Sequence, residues 1–390
     1  MAERRRIAVL TTGRQDYGIL RSTLVALARD PRFELRVWAG GMHLSAAHGR
    51  TVDRIRADGL EVARELPFAG DGADPLATGA RAIEQVGAAL TEERPSALVL
   101  LGDRSETLAA AYAATLRAVP IVHLHGGEES EGAIDNAMRH AITKLAHLHL
   151  VSHEVHAERV RQMGEPSESV RIVGAAGLDN LYRDDLPDRV ELAARLGISL
   201  EGAPAIVVTM HPTTLREPLD PDPAAEARAV AAAVERTTAR LVVTQPNDDA
   251  GGAAIRAFWR EWARGRADVA VVDALGERAY WGLLRIADVV LGNSSSGIIE
   301  APAAGAPVID VGDRQKGRLR SPHVEHVPAD TAAIAEALAR ALSPGRREAL
   351  AALPPLYPRG PASARIVAAL AEARLPTPPR KAFVDRPAAR

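Results

Sequence analysis

Short β-branched runs alternate with longer Ala/Leu-rich stretches along most of the chain, and this rhythm constrains the fold more than any other feature. Units that alternate strand and helix in this way build parallel sheets with helices on both faces. In the first half the strand-like runs are Ile7–Thr12, Glu34–Trp38, Leu60–Leu66, Ala97–Leu101, Ile121–Leu124, His147–Val151 and Val170–Val173. Helices are expected over Tyr17–Arg29, Thr51–Asp58, Pro75–Glu93, Glu106–Arg117, Ala133–Ala146 and Glu154–Met163. A second series follows the polar, proline-containing stretch Tyr182–Arg189, with strands at Ala205–Met210, Leu241–Thr244, Val269–Val272, Val289–Leu291 and Val308–Val311. Its helices are expected near Pro223–Thr237, Ala253–Arg264, Arg278–Arg285 and Ile298–Ala304. The chain therefore reads as α/β, with two doubly wound domains at residues 1–180 and 181–360. A helix over 361–375 is expected to return to the first domain, and 376–390 to be a frayed tail. The expected ligand site is the cleft between the domains, at the carboxyl ends of the strands.

At 390 residues the chain exceeds what a single core usually organises. With 48 basic and 50 acidic residues there is no charge bias toward nucleic acid or an anionic membrane. The chain has no cysteine, which excludes disulfides and thiolate metal sites and agrees with a reducing cytosol. No apolar run approaches the roughly 18 residues that would suggest a membrane span, and the start reads as a strand rather than a signal peptide. The protein is expected to be cytoplasmic.

Chemistry concentrates between Ala97 and His149. Asp103, Glu106, Glu128, Glu129, Glu131 and Asp135 lie there with His123, His125 and His140, and Gly-Asp-Arg and Gly-Gly-Glu follow two apolar runs. Carboxylates crowded together shift one another's affinity for protons, which equips one as an acid and another as a base near neutral pH. Asp135 falls in the first turn of its expected helix, where the dipole favours an anion, with Arg139 one turn on and near enough to pair. The helix's apolar arc is expected to be Ile134, Ala137, Met138, Ala141, Ile142 and Leu145. Asp103 also suits a helix N-cap. The His and acid spacings match no common metal-binding pattern, so no metal is expected.

Phosphate-handling pieces lie elsewhere. Gly292-Asn-Ser-Ser-Ser-Gly-Ile-Ile-Glu300 stands between a strand and a helix. Ser294, Ser295, Ser296 and Gly297 let the backbone approach an anion at a helix N-terminus, and Glu300 can accept from ribose hydroxyls. One serine would suffice for an ordinary helix cap. Thr12-Gly-Arg-Gln-Asp-Tyr-Gly18 is not the dinucleotide pattern, so no NAD is expected, and Arg14 suits a phosphate instead. Arg314 lies in the basic loop Gly312–Arg320, His211 ends a strand, and Gln245 and Asn247 follow the next strand, where an amide can read a base edge.

Taken together, GDRSE, HGGExxxGAIDxxxRHAITKLAHLH, MHP, QPND and GNSSSGIIEAP…GDRQKGR resemble the hydrolysing UDP-N-acetylglucosamine 2-epimerases of sialic-acid and related nonulosonate biosynthesis. The resemblance spans roughly residues 7–320. It implies a GT-B fold of two Rossmann-like domains facing across a nucleotide-sugar cleft, no metal or nicotinamide cofactor, and a homo-oligomer. It also implies that UDP-GlcNAc loses UDP to give 2-acetamidoglucal, which water converts to N-acetylmannosamine. By position, Asp103 and Asp135 match catalytic acids of that family. Arg14, Arg104, His211, Asn247, Ser294, Ser295, Glu300 and Arg314 match nucleotide- or phosphate-contacting positions. Ser105 stands where an aromatic residue is usual, and His125 where the animal enzymes carry a catalytic glutamate. The proton acceptor is therefore His125, Glu128 or Asp103. Related bacterial enzymes act on diacetamido or GDP-linked sugars, and a GT-B glycosyltransferase or a non-hydrolysing epimerase would share much of this pattern.

Overall fold

The computed structural model describes residues 4–46, 49–69, 74–129, 135–213, 222–246, 251–273, 275–358 and 360–385. They divide into two compact units. Among them the first comprises residues up to Glu128, those from Asp135 to Asp179, and the segment from Tyr357 onward; the second comprises Glu129 and the run from Asn180 to Leu356.

The first unit carries strands β1 (Arg5–Thr11), β2 (Phe33–Gly40), β3 (Val62–Leu66), β4 (Ala97–Leu101), β5 (Ile121–Leu124), β6 (Leu148–Val151) and β7 (Val170–Ile172). Between them lie helices α1 (Arg14–Arg29), α2 (Val52–Ala57), α3 (Pro75–Glu93), α4 (Ser105–Leu116), α5 (Asp135–Leu145) and α6 (Glu154–Gln162). The strands form one parallel sheet in the order β3-β2-β1-β4-β5-β6-β7. Alternate residues of β1 serve opposite faces, as the two-residue period of a strand requires. Ile7 and Val9 pack with Leu20, Leu24 and Leu27 of α1, while Ala8 and Leu10 pack with the other layer, which holds Ala82, Val86 and Ile142. Both faces are covered, so the strands read as continuous apolar runs.

The second unit begins with α7 (Arg189–Leu196) and carries β8 (Ala205–Thr209), α8 (Ala225–Val234), β9 (Arg240–Thr244), α9 (Gly252–Trp262), β10 (Val269–Val272), α10 (Glu277–Ile286), β11 (Val289–Gly292), α11 (Ser295–Ala303), β12 (Val308–Val311), β13 (Val324–Val327), α12 (Thr331–Ala341) and α13 (Arg346–Ala351). Its parallel sheet runs β10-β9-β8-β11-β12-β13. In each sheet the winding direction reverses once, between β1 and β4 and between β8 and β11. Side chains at the carboxyl ends of those four strands therefore stand at the switch points where such sheets bind ligands.

Helix α14 (Ala362–Glu372) returns to the first unit, where Ile366 and Leu370 join the α1 layer. Buried Asp179 caps it, accepting from the Ala362 and Ser363 amides at 2.5 and 2.8 Å. No helix among the described residues is long and apolar enough to cross a membrane.

Several expectations need correction. α1 and α11 start three residues earlier than read, which puts Arg14 and Ser295 in first turns. Helices α7, α12 and α13 and strand β13 lie where no element was read; α7 is bounded by an Asp188 side chain that accepts from the Glu191 amide and by Gly197 at φ 70°. On α5 the buried residues are Arg139, Ile142 and Thr143, while Ala137 is exposed. A buried arginine with an anionic partner turns the helix away from the all-apolar arc. The expected frayed tail is also overturned for its described part: Lys381 pairs with buried Glu165 at 2.7 Å, and the Val384 amide donates to the Gly164 carbonyl at 2.9 Å.

Candidate active site

In the first unit the groups gather at the carboxyl ends of β1, β4 and β5 and at the start of α5. After β1, the Thr12 amide and hydroxyl both donate to the Asp16 carboxylate, at 3.2 and 2.5 Å. Burial pushes the Asp16 carboxyl above its ordinary pKa, against the opposing pull of Thr12 and Arg104. After β4, Arg104 precedes α4 and donates to Glu106 at 3.2 Å, and Ser105 donates to the same carboxylate at 2.9 Å. The Arg104 guanidinium is half-buried, which favours its neutral form, yet the negative charges of Glu106, Asp16 and Asp135 hold its pKa above the ordinary value.

Asp103 forms an ion pair with Arg139, whose side chain is 4% exposed against 25% for Asp103. Arg139 also donates to the Glu128 carbonyl at 2.8 Å and to Asn136 Oδ1 at 3.3 Å. The loop after β4 is thus tied to α5. A second tie runs through fully buried His123, which donates from Nε2 to the Gly102 carbonyl at 2.8 Å and meets Thr143 Oγ1 at 3.2 Å. Burial pushes His123 down to about 3, so it is neutral and structural.

His125 adopts the left-handed conformation at φ 62°, uncommon for a residue with a side chain. Its Nδ1 lies 2.7 Å from Glu128 Oε1, and the Ala176 amide donates to its Nε2 at 3.4 Å. A ring nitrogen that accepts an N–H carries no proton, so the proton is on Nδ1 and is donated to Glu128. Ser152 donates to the same Glu128 oxygen at 2.9 Å and is in turn 2.8 Å from His156 Nδ1. Both His125 nitrogens are engaged, and buried Glu128 is the group they orient.

In the second unit the groups gather at the ends of β8, β9 and β11. Gly292, at φ 140°, lies so close to β8 that an added Cβ would overlap the Thr209 carbonyl. This close approach brings Asn293 against His211. Asn293 Oδ1 accepts the His211 amide at 2.7 Å and Nδ2 donates to the His211 carbonyl at 2.9 Å. The Asn293 carbonyl accepts from Arg314 Nη1 at 3.2 Å and Gln315 Nε2 at 2.9 Å, and Arg314 also donates to the Pro212 carbonyl at 3.3 Å. Burial, helped by the Arg314 charge, pushes His211 down to about 4, so a neutral ring stands beside a guanidinium.

Ser294 caps α11, accepting from the Ser296 amide at 3.3 Å; Ser295 is exposed in the first turn, and Gly297 packs against Val308. Ser296 is 2.7 Å from the buried Tyr280 hydroxyl, and it also bonds Glu300, whose carboxyl burial pushes above its ordinary pKa. The side-chain amide atoms of buried Gln245 have no hydrogen bond among the described residues. Asn247 lies outside the described residues.

The sequence-predicted residues therefore fall into two sets. Arg14, Asp103, Arg104, His125, Glu128 and Asp135 belong to the first unit; His211, Gln245, Ser294, Ser295, Ser296, Gly297, Glu300 and Arg314 belong to the second. Sequence reasoning gave Arg139 only as a partner for Asp135, where the structure pairs it with Asp103, and missed Asp16, Asn293, Gln315 and Tyr280 as parts of these sets. Only Asp16 carried a local signal, since it stands four residues after Thr12 at the opening of a helix. Among the described residues no group of three or more His, Asp or Glu side chains is arranged to hold a metal ion.

The model of the UDP-N-acetylglucosamine 2-epimerase family matches residues 25–371. A UDP-N,N'-diacetylbacillosamine 2-epimerase (hydrolyzing) of Legionella pneumophila is 36% identical over 343 residues, 87% of this chain and 89% of the relative. A UDP-N-acetylglucosamine 2-epimerase of Neisseria meningitidis is 31% identical over 346 residues, 88% of this chain and 89% of the relative. The crystal structure of a UDP-GlcNAc 2-epimerase from Neisseria meningitidis, bound to UDP-GlcNAc, superposes with a TM-score of 0.80 at 16% identity, covering 94% of this chain and 100% of that one. That likeness carries the fold, which is GT-B-like with two Rossmann-like units. With the family model spanning most of its length and two relatives above 30% identity, the chain belongs to the UDP-N-acetylglucosamine 2-epimerase family.

Proposed function

We propose that this protein is a hydrolysing 2-epimerase that converts UDP-N-acetylglucosamine and water into N-acetylmannosamine and UDP. The observation that carries the reading is the Asp103–Arg139 ion pair, which ties an ionised carboxylate after β4 to the Glu128 main-chain carbonyl and to α5, the helix whose first turn carries Asp135. The second unit supplies groups for a diphosphate and its nucleoside: Arg314, His211 and the first turn of α11 for the phosphates, Glu300 for the ribose and Gln245 with Asn247 for the base. Arg14 and Arg104 add positive charge for the departing diphosphate.

In this reading the C1–oxygen bond breaks with its electron pair leaving on UDP. The ring becomes electron-poor, the C2–H bond is weakened, and Asp103 accepts that proton as the C1=C2 double bond forms. The product is a 2-acetamidoglycal. Water then adds its oxygen to C1, giving up a proton to one of the remaining carboxylates, Glu128 or Asp135. The other, which enters this step protonated, donates that proton to C2 on the opposite face and so inverts the centre. Exchange with solvent then restores all three carboxyls, two protons leaving from Asp103 and the water's acceptor and one returning to the donor, a net release of one proton per turnover. Glu128 takes the proton-transfer role here, and His125 orients it. General acid–base transfer of this kind contributes roughly 10²–10⁴-fold, and each preorganised donor to the leaving group about 10²–10³-fold.

A second reading, the same chemistry on UDP-N,N'-diacetylbacillosamine, is favoured by the name of the Legionella relative at 36% identity. The proposal places the protein in the cytoplasm as a homo-oligomer serving sialic-acid or related nonulosonate synthesis; a relative in Escherichia coli is named polysialic acid biosynthesis protein P7. The test is NMR of reactions in D₂O with UDP-GlcNAc, UDP-N,N'-diacetylbacillosamine and its GDP counterpart. Free UDP or GDP and a 2-epimeric sugar deuterated at C2 are expected from one of them. An intact nucleotide sugar with inverted C2 overturns the hydrolytic reading, and no turnover of any overturns the proposal.

A further inference from the structure

Helix α5 presents Asp135 and Arg139 at its beginning and ends about 15 Å away, where its last carbonyls lack partners within the helix. The C-terminal segment meets that end. Lys381 Nζ donates to the Thr143 carbonyl at 2.9 Å, to the Ala146 carbonyl, and to Glu165 Oε2 at 2.7 Å, so its three donors meet three acceptors. A cation at a helix carboxyl terminus is also favoured by the helix dipole.

The anchorage beneath it is buried. Glu165, whose side chain is 1% exposed, also accepts from Lys144 at 2.6 Å and from His149 Nε2 at 3.0 Å. Lys144 belongs to α5 and lies 5.0 Å from the centre of the Phe383 ring. Phe383 covers Gly164, where a Cβ would overlap it, and the adjoining Val384 amide bonds the Gly164 carbonyl at 2.9 Å. Thr143 is shared: its carbonyl receives Lys381 while its hydroxyl meets His123, which holds Gly102 next to Asp103. A shift of α5 along its axis would move Arg139 against Asp103 and move Asp135 with it.

We infer that Lys381 is a positioning residue for the epimerase reaction: by capping the carboxyl end of α5, the C-terminal segment sets where Asp135 and Arg139 stand. The inference rests on the proposed function, which makes Asp135 a proton-transfer group and Arg139 the partner that holds Asp103. Its energetic logic is that small displacements of reacting groups are costly, with an ångström of misplacement worth up to about 10²-fold in rate.

The experiment uses the full chain with Lys381→Met, Lys381→Arg, Asp135→Asn and a control, Asp330→Ala. Asp330 caps α12 in the second unit, accepting the Ala332 and Ala333 amides at 3.0 and 2.9 Å, so its loss lowers stability away from α5. All are assayed well below the lowest melting temperature. Lys381→Met is expected to lower kcat about 10- to 100-fold while the Kd for UDP, by calorimetry, changes less than twofold. Lys381→Arg is expected to recover most of the loss, and Asp330→Ala to melt earlier with kcat within twofold of the parent. Should Lys381→Met fail to fold, Lys381→Gln carries the same expectation. An unchanged kcat in the folded Lys381 variant, with Asp135→Asn inactive, overturns this inference and leaves the function standing. A fully active Asp135→Asn variant overturns the role assigned to Asp135 and the inference with it.

Discussion

Asn293 and His211 are joined by two hydrogen bonds, the Asn293 side-chain amide closing on the His211 backbone N–H at 2.7 Å and its carbonyl at 2.9 Å. This fully buried asparagine therefore ties the end of β8 to the end of β11. Replacing it with alanine strands a buried N–H and a buried carbonyl, each costing about 1–3 kcal/mol. Asn293→Ala is expected to lower stability by about 2–4 kcal/mol and to weaken UDP binding at least tenfold, because the His211 backbone loses its anchor while the Arg314 bond to the residue 293 main-chain carbonyl is kept. Urea denaturation and UDP calorimetry read the two effects separately. A destabilised variant with parental UDP affinity would show that Asn293 serves the fold alone.

Arg139 answers to the Asp103 carboxylate, the Glu128 carbonyl and Asn136 Oδ1. Breaking a fully buried ion pair costs roughly 3–5 kcal/mol. With Asp103 a quarter exposed, Arg139→Ala is expected at about 2–3 kcal/mol, within the same principle. The rate should fall by about 10²-fold or more, as it should in Asp103→Asn, while UDP affinity stays near the parental value. The double variant should be little slower than either single one if the two residues act as a unit. Multiplicative losses in the double variant would refute that coupling.

The fold was largely legible because both faces of each sheet are buried, which writes strands such as ALVLL at β4 and AIVVT at β8 as plain apolar runs. Strand β13 escaped because VEHV lies at the sheet edge, with only Val327 buried, and carries no such run. The strand-end positions of candidate residues were legible where they closely follow a strand, as Asp103 and Arg104 follow β4 and His211 follows β8. Asn293 reaches a partner 82 positions away, and Arg139 one 36 positions away, so nothing local marks either contact. Helical periodicity offered Arg139 only the carboxylate one turn away, Asp135, and the fold shows that Asp103, from the loop after β4, pairs with it. The tail misled for a related reason: its Pro- and Arg-rich composition suits a frayed end, while Lys381 and Phe383 find their partners 200 and more positions earlier.

Burial holds several histidines neutral, His43, His156 and His211 down to about 4 and His123 to about 3. Unfolded, each titrates at 6.5. Between those limits the unfolded chain binds protons that the folded chain refuses, so stability is complete above pH 6.5 and is lost as pH falls toward 4. Each deeply buried ring contributes a slope of about 1.4 kcal/mol per pH unit in that window. The urea midpoint is expected to fall steeply from pH 7 to pH 5, and His43→Gln, placed between Thr11 and Thr51, to flatten the dependence by about one ring's share. A midpoint that holds constant over this range would contradict the neutral assignment. Below it, Glu165, held at about 2 beside His149, Lys144 and Lys381, adds a further acid loss as pH falls from 4.5.

Gln245 supplies a prediction in which stability and binding move in opposite directions. Its buried amide stands at the end of β9 with neither the oxygen nor the nitrogen hydrogen-bonded among the described residues. A buried amide without partners costs about 1–3 kcal/mol relative to one that is paired. If the amide reads the edge of a nucleobase, that cost is recovered only when the nucleotide binds. Gln245→Met keeps the length of the side chain and removes both polar atoms. The variant is therefore expected to melt higher than the parent without ligand, and to bind UDP about 5- to 50-fold more weakly, the equivalent of 1–2 kcal/mol. Its selectivity among UDP, CDP and GDP should narrow at the same time, since an apolar side chain offers no hydrogen bond to tell one base edge from another. A variant that melts lower and binds UDP as tightly as the parent would assign Gln245 to the packing of β9 instead of to the base.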